Sequence, residues 1–423
     1  MIDLKGSGFS GENIIFSDTC CRINGKPPSG KTVLTLNKER SFVMKIKGAV
    51  LREPNKPYSI ETLELDPPKE HEVLVKYTHT GYCHSDLHLQ LGEIPIALPL
   101  VAGHEGAGVV EDVGPGVTKV QKGDHVGVTW MIPCGKCPQC LRGMGNICSG
   151  NFPAFLEGML LDGTSRIKDK DGNMVRHGNF VSCFSTHSIV PEDGVIPMPK
   201  EFPLEHAALM GCCVPTGWGT VCNTADVQPG DSVVVYGLGG VGINCLRAAV
   251  LRQANPVIAV DLEGSKEGLA KEFGATHFID SSKEDPVPAI QLLTGGMKME
   301  DGTIMGGGAD IVIEAIGDPG AQIQAYWSTG IGGKVVAPGI TPHDQTTNLP
   351  LMLLPLHQKS ILGNLYGSIS THIDIPRLVN LAKTGNLKLD KLVTKKFKME
   401  EINDVAKAME KREIQGRWVC EID

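Results

Sequence analysis

The sequence predicts an α/β protein built from two unlike parts: a β-rich, irregular domain and, behind it, a doubly wound parallel sheet. Three observations carry this. The chain has 423 residues, more than one hydrophobic core usually organises. Its texture changes after Pro229, from short β-type runs among glycines and prolines to short apolar runs, several of them separated by helical stretches. A glycine pattern stands directly after the first of those runs, where a strand would hand over to a helix.

In chain order, residues 1–43 are polar and glycine-rich with no sustained period, and they read as an accessory extension. Cys20 and Cys21 lie within it and read as free thiols, because no nearby His or second Cys pair completes a metal set. Met44 then opens MKIKGAVLREPNKPYSIETLEL, which alternates like a strand, and residues 44–212 continue with runs such as HEVLVKYTHTG and GAGVVEDVG. Residues 213–365 form the second domain. Its runs DSVVVYGL, PVIAVDL, HFID, ADIVIEAIG, KVVAPG and ILGNLYG have the apolar character of parallel strands covered on both faces. Within it, residues 295–308 read as a glycine-rich, mobile loop. Residues 366–423 read as helix, helix and a final strand that returns to pack on the first domain.

Composition narrows the function. A net charge of −8 offers no basic field for nucleic acid or an anionic membrane surface. No apolar run reaches the roughly 20 residues of a membrane helix, and no secretory signal opens the chain. The expectation is a soluble, unexported protein with a small-molecule partner. Of 13 cysteines, four crowd between Cys134 and Cys148 in a chain too large to be a disulfide-stapled module. That suggests metal ligation in a reducing compartment, the cytoplasm.

The stretch VVVYGLGGVGINCLRAAV sets Gly237, Gly239 and Gly242 in a G-x-G-x-x-G pattern between strand and helix, with Gly240 and Val241 inside the loop. Gly237 permits the tight turn, Gly239 lets the backbone approach a pyrophosphate, and Gly242 lets helix and strand pack closely. The next strand ends on Asp261, whose carboxylate would accept hydrogen bonds from an adenosine ribose. This Rossmann fingerprint predicts a dinucleotide. A carboxylate there would repel a 2′-phosphate and no Arg follows it, so NAD is expected over NADP, with Lys266 nearby.

Cys134, Cys137, Cys140 and Cys148 form a C-x2-C-x2-C-x7-C array, enough to close a tetrahedral zinc site with no open position. A second set is dispersed: GYCHSDLH supplies Cys83, GHEGAG supplies His104, and LMGCCVPTGWG supplies Cys212 and Cys213. Three protein ligands with one position open is the catalytic form of a zinc site.

From about Met44 onward the chain resembles the zinc-containing medium-chain alcohol dehydrogenases. GHEGAGVVEDVGPGVTKVQKGDHV, the four-cysteine lobe and GLGGVG carry the resemblance. It implies a GroES-like catalytic domain ahead of the Rossmann domain, two zinc ions per chain, NAD, an alcohol or aldehyde substrate, and a homodimer or homotetramer. The catalytic ligands fall on Cys83, His104 and Cys212, where Cys213 replaces the second glycine of the family's Gly-Cys-Gly. Glu105 is the acid beside the histidine ligand, and Asp86 orients His104. Ser85 would take the alcohol proton and pass it on to His88, facing solvent. Thr216 and Val241 would press on the nicotinamide, and His84 and Arg417 would meet the pyrophosphate, Gln415 being the alternative to Arg417.

Trp130, Ile94 and Leu365 fall on substrate-pocket positions, and an indole there favours primary alcohols. The segment after the lobe resembles the long loop of the animal alcohol dehydrogenases, the glutathione-dependent formaldehyde dehydrogenases and the bacterial nicotinoprotein alcohol dehydrogenases. Enzymes acting on thiol adducts use a basic residue just after the last structural cysteine, and CSGNFPAFLE has none, so a free alcohol is expected. A zinc-stabilised protein without catalysis would lack Cys83, His104 or Ser85. All three are present.

Overall fold

The computed structural model describes residues 43–423; apart from Val43, the expected N-terminal extension with Cys20 and Cys21 lies outside them. The alternating run at Met44 forms two antiparallel strands, β1 (Met44–Leu51) and β2 (Ser59–Leu65), rather than one. They close a small barrel with Ile167–Lys168, Met174–His177 and Leu100–Val101. Beside it, β3 (Glu72–Gly81) pairs with β4 (Glu105–Val113) in a larger antiparallel sheet. The short helix α1 (His84–Gln90) follows β3 directly.

The second part is a six-stranded parallel sheet. In chain order its strands are β5 (Val233–Tyr236), β6 (Val257–Asp261), β7 (His277–Asp280), β8 (Ala309–Glu314), β9 (Thr329–Ala337) and β10 (Ser360–Gly363). Their spatial order is β7-β6-β5-β8-β9-β10, with every neighbour parallel. All six expected runs became strands, and β5 and β6 are buried along their whole length, as a sheet covered on both faces requires. Strand order reverses at β5, so the crevice beyond its carboxyl end is where a dinucleotide lies in such sheets.

Two expectations change. Residues 295–308 are not a structureless loop, because Met297–Lys298 and Ile304–Met305 pair as an antiparallel hairpin. Its tip is tied by the Asp301 carboxylate, which accepts the Thr303 N–H and hydroxyl at 2.9 and 2.6 Å. The C-terminal part contains an extra strand, β11 (Val393–Lys398), between its two longer helices. Only Phe397 of that strand is buried, so its lysines hid it in the sequence. The final strand, β12 (Arg417–Glu421), pairs with β11 and with β3 and does return to the first sheet. Among the described residues, no helix is long and apolar enough to cross a membrane.

Candidate active site

The turn from β3 into α1 builds one wall of the site. Cys83 caps the helix, and its N–H donates to Asp86 Oδ2 at 2.9 Å. The other oxygen, Asp86 Oδ1, meets His104 Nδ1 at 3.1 Å. One buried carboxylate thus fixes both side chains and leaves His104 Nε2 free to ligate. Gly103, at φ +91°, turns the chain so that His104 reaches inward; a Cβ there would lie 2.7 Å from the Phe184 backbone nitrogen. Cys212 enters from the cap of the helix Cys213–Gly219.

Ligand atoms of Cys83, His104, Glu105 and Cys212 all lie within 4.8 Å of one another. Cys213 is outside this group: its Sγ faces the Leu209 carbonyl at 3.8 Å and its N–H donates to Glu105 Oε1 at 3.1 Å. Of the two adjacent cysteines, Cys212 is therefore the one in the cluster. Glu105 is fully buried, its Oε2 has no partner, and burial pushes its carboxyl up to about 7. Two thiols and an imidazole, with an orphaned carboxylate oxygen beside them, suit zinc.

Cys134, Cys137, Cys140 and Cys148 also bring their sulfurs within 4.8 Å of one another. Backbone N–H groups of Cys134, Cys137 and Cys140 donate to sulfurs of the same set at 3.3–3.5 Å. The Cys140 N–H is the main reason the Cys137 thiol is held down at about 5. Four sulfurs gathered this closely on one short lobe fit a closed zinc site.

The glycine loop fits a dinucleotide. Gly237 has φ +86°, and a Cβ on Gly242 would lie 1.8 Å from the Gly237 carbonyl oxygen. A Cβ on Gly239 would meet nothing within 4 Å, so open space lies where a pyrophosphate would approach. The helix Gly240–Leu251 begins here, with Val241 half-buried at its second position. Arg417 comes against Gly240; its Nη1 donates to the Tyr82 carbonyl, its Nη2 to Glu105 Oε1, and its buried Nε has no partner. Gln415, the alternative in the sequence, donates to Ser265 Oγ. Asp261 accepts the Leu238 N–H at 2.7 Å and pairs with Lys266 at 2.9 Å, which brings both residues to the end of β6.

One expectation needs correction. His88 does not face solvent, since it is only 8% exposed. Its ring lies 4.7 Å from that of the exposed His84, and its Nδ1 pairs with Glu93. Thr216 is buried, with its hydroxyl 4.0 Å from Cys212 Sγ. Ser85, His104, Ile94, Trp130 and Leu365 share one cavity of about 580 Å³. The Trp130 ring stands edge-on to His104 at 6.2 Å and to Tyr366 at 5.1 Å.

Residues not anticipated also line this cavity, among them Glu93, Phe152, Phe155 and Phe180. The aromatic pair in NFPAFLE, right after the lobe, was the available signal for two of them.

The sequence matches the alcohol dehydrogenase GroES-like domain over residues 69–200 and the zinc-binding dehydrogenase domain over residues 240–384. It is 41% identical over 364 residues to an NDMA-dependent alcohol dehydrogenase of Amycolatopsis methanolica, covering 85% of this chain and 95% of that one. It is 37% identical over 362 residues to an S-(hydroxymethyl)glutathione dehydrogenase of Synechocystis, with 85% and 95% covered. Among solved structures, benzyl alcohol dehydrogenase of Acinetobacter calcoaceticus superposes with a TM-score of 0.82 at 34% identity, covering 90% of this chain and all of that one. With two complete zinc-type donor sets and a Rossmann loop joined in one fold, the chain belongs to the zinc-dependent alcohol dehydrogenases, enzymes that exchange hydride between an alcohol and a nicotinamide dinucleotide.

Proposed function

We propose that this enzyme oxidises primary alcohols with aromatic or bulky apolar bodies, reversibly, and that it uses NAD rather than NADP. In this reading Cys83, His104 and Cys212 hold the catalytic zinc and the four-cysteine lobe holds the structural one. When bound, the zinc supplies a Lewis acid for the alcohol oxygen and the nicotinamide supplies the hydride acceptor. The chain's own side chains do the remaining work. Ser85, with Oγ 3.8 Å from Cys83 Sγ and open to the cavity, takes the alcohol proton, and His88 stores the proton that must leave. Asp86 fixes His104, Glu105 and Arg417 balance charge beside the ligands, and Asp261 with Lys266 receives the adenosine ribose.

The observation that carries the substrate reading is the cavity itself. Its volume suits a small organic molecule. Trp130, Phe155 and Phe180 wall it, and the indole beside His104 crowds the carbon that would bear a second substituent. The Acinetobacter relative, a benzyl alcohol dehydrogenase, agrees with an aromatic body. The Synechocystis relative, by its name, handles a glutathione adduct. Among the described residues no Lys or Arg lines this cavity, and Glu93 would oppose the carboxylates of such an adduct. A homodimer or homotetramer in the cytoplasm completes the proposal.

The test is kcat/KM for benzyl alcohol, 1-phenylethanol and S-hydroxymethylglutathione, each with free NAD and with an artificial acceptor. Benzyl alcohol should lead by at least about tenfold, and Trp130→Ala should admit the secondary alcohol. Equal rates for primary and secondary alcohols would sink the reading, and preference for the glutathione adduct would replace it.

A further inference from the structure

The end of α1 carries a side-chain pair that the proton relay does not account for. Leu91 caps the helix and Gly92, at φ +75°, reverses the chain. The Gly92 N–H donates to the Leu89 carbonyl at 3.1 Å and the Glu93 N–H to the His88 carbonyl at 2.9 Å. These are the two bonds of a Schellman turn, which places the side chain two residues past the cap against the one three residues before it. That contact is commonly apolar. Here it joins the Glu93 carboxylate to His88 Nδ1. Glu93 is partly open, with its side chain 30% exposed, and it lines the cavity that also holds Ser85 and His104.

We propose that Glu93 is the positioning residue of the relay: it holds the Nδ1–H of His88, leaves Nε2 to accept the departing proton, and supplies the counter-charge that solvent would otherwise provide. His88 is buried, so an imidazolium there needs compensation from the protein. The carboxylate gives it directly, and the carbonyl end of α1 adds to it. The arrangement follows the logic of a hydroxyl, a histidine and an orienting carboxylate. In the step, the proton that leaves the alcohol by way of Ser85 ends on Nε2, the ring becomes cationic, and nothing is oxidised or reduced.

The other charged or titratable groups around His88 are its neighbour His84, 4.7 Å away, and Arg417, whose charge is felt at His84. Both oppose a second positive charge. On the helix Ile402–Glu410, which packs on α1, Asp404 and Lys407 are exposed and paired with each other. Among the described residues, Glu93 is therefore the one acidic group paired with the ring.

This inference rests on the proposed relay, and the experiment separates the two. The holoenzyme is assayed for benzyl alcohol oxidation from pH 5.5 to 9.5 as Glu93→Gln, His88→Gln and the double variant, with zinc content and melting temperature checked for each. Glu93→Gln should lower kcat by about tenfold with KM nearly unchanged. In the His88→Gln background, Glu93→Gln should cost nothing further. If His88→Gln leaves kcat unchanged, the relay itself fails. If His88→Gln slows the enzyme but Glu93→Gln leaves kcat unchanged, alters only KM, or costs as much without His88, then Glu93 is a cavity wall and the inference is overturned.

Discussion

Arg417 donates to Glu105 at 3.0 Å in an ion pair whose side chains are 4% and 0% exposed. The arginine opens the last strand and the glutamate follows the ligand His104, so the pair ties the returning C-terminus to the metal site. Burial makes each charge costly without the other. Arg417→Ala should therefore cost about 3–5 kcal/mol in denaturant unfolding of the zinc-loaded protein. The double variant Arg417→Met, Glu105→Gln should recover part of that loss. A single variant within about 1 kcal/mol of the parent would mean that the pair contributes little to holding the strand.

The glycine loop separates folding from binding at two positions. Gly242 packs on the Gly237 carbonyl, where a Cβ would lie 1.8 Å away, while a Cβ on Gly239 meets nothing within 4 Å. Gly239→Ala should fold with an unchanged melting temperature and lose NAD affinity by about tenfold or more, about 1.4 kcal/mol. Gly242→Ala should melt lower even without NAD, because the helix must shift away from the strand. Calorimetry of the apoprotein and titration with NAD read the two effects separately. If both variants lose affinity with no change in melting, the distinction between the two glycines is wrong.

What could be read from the sequence were features whose chemistry is local. Gly237, Gly239 and Gly242 announce their turn because a side chain would strain the backbone at Gly237, block the approach of a pyrophosphate at Gly239 and clash with the strand at Gly242. Cys134 to Cys148 announce a closed site because four thiols on one short lobe have little else to do. Features that depend on chain reversal or on sheet edges were not legible. Gly92 looked like any turn glycine, and only the Schellman geometry brings Glu93 onto His88. Strand β11 hid behind Lys395, Lys396 and Lys398, and the hairpin at Met297 hid behind its glycines. Burial of His88 could not be read from a polar residue on a seven-residue helix.

Two complete donor sets call for two zinc ions per chain by elemental analysis. Cys140→Ser should leave one. The lobe holds its sulfurs with backbone N–H groups, and its chain is closed on itself through the metal, so the lost ion should lower the melting temperature strongly. Initial turnover per folded molecule should fall much less, because the cluster of Cys83, His104 and Cys212 is untouched. An equal loss of turnover and stability, or two zincs retained, would refute the division of roles.

Acid stability should depend on His177, far from either zinc set in sequence. It is fully buried; its Nε2 accepts the Arg166 N–H at 3.2 Å and its Nδ1 lies 3.5 Å from Ser182 Oγ. Burial first, and the Arg166 guanidinium second, push the imidazole down to about 3. In the unfolded chain it titrates near 6.5. Between those values the unfolded state binds a proton that the folded state refuses, so stability falls as pH drops, by up to about 1.4 kcal/mol per unit. Above about 6.5 the group is neutral in both states and the term vanishes. His177→Gln keeps an acceptor for the Arg166 N–H and removes the titration. It should be somewhat less stable than the parent at pH 7.5, by about 1 kcal/mol, and should gain on the parent steadily toward pH 4.5. Carboxylates and zinc-site thiols titrate in both proteins, so the difference between the two unfolding curves isolates this residue. A difference that stays constant from pH 7.5 to 4.5 would show that His177 is protonated in the folded protein.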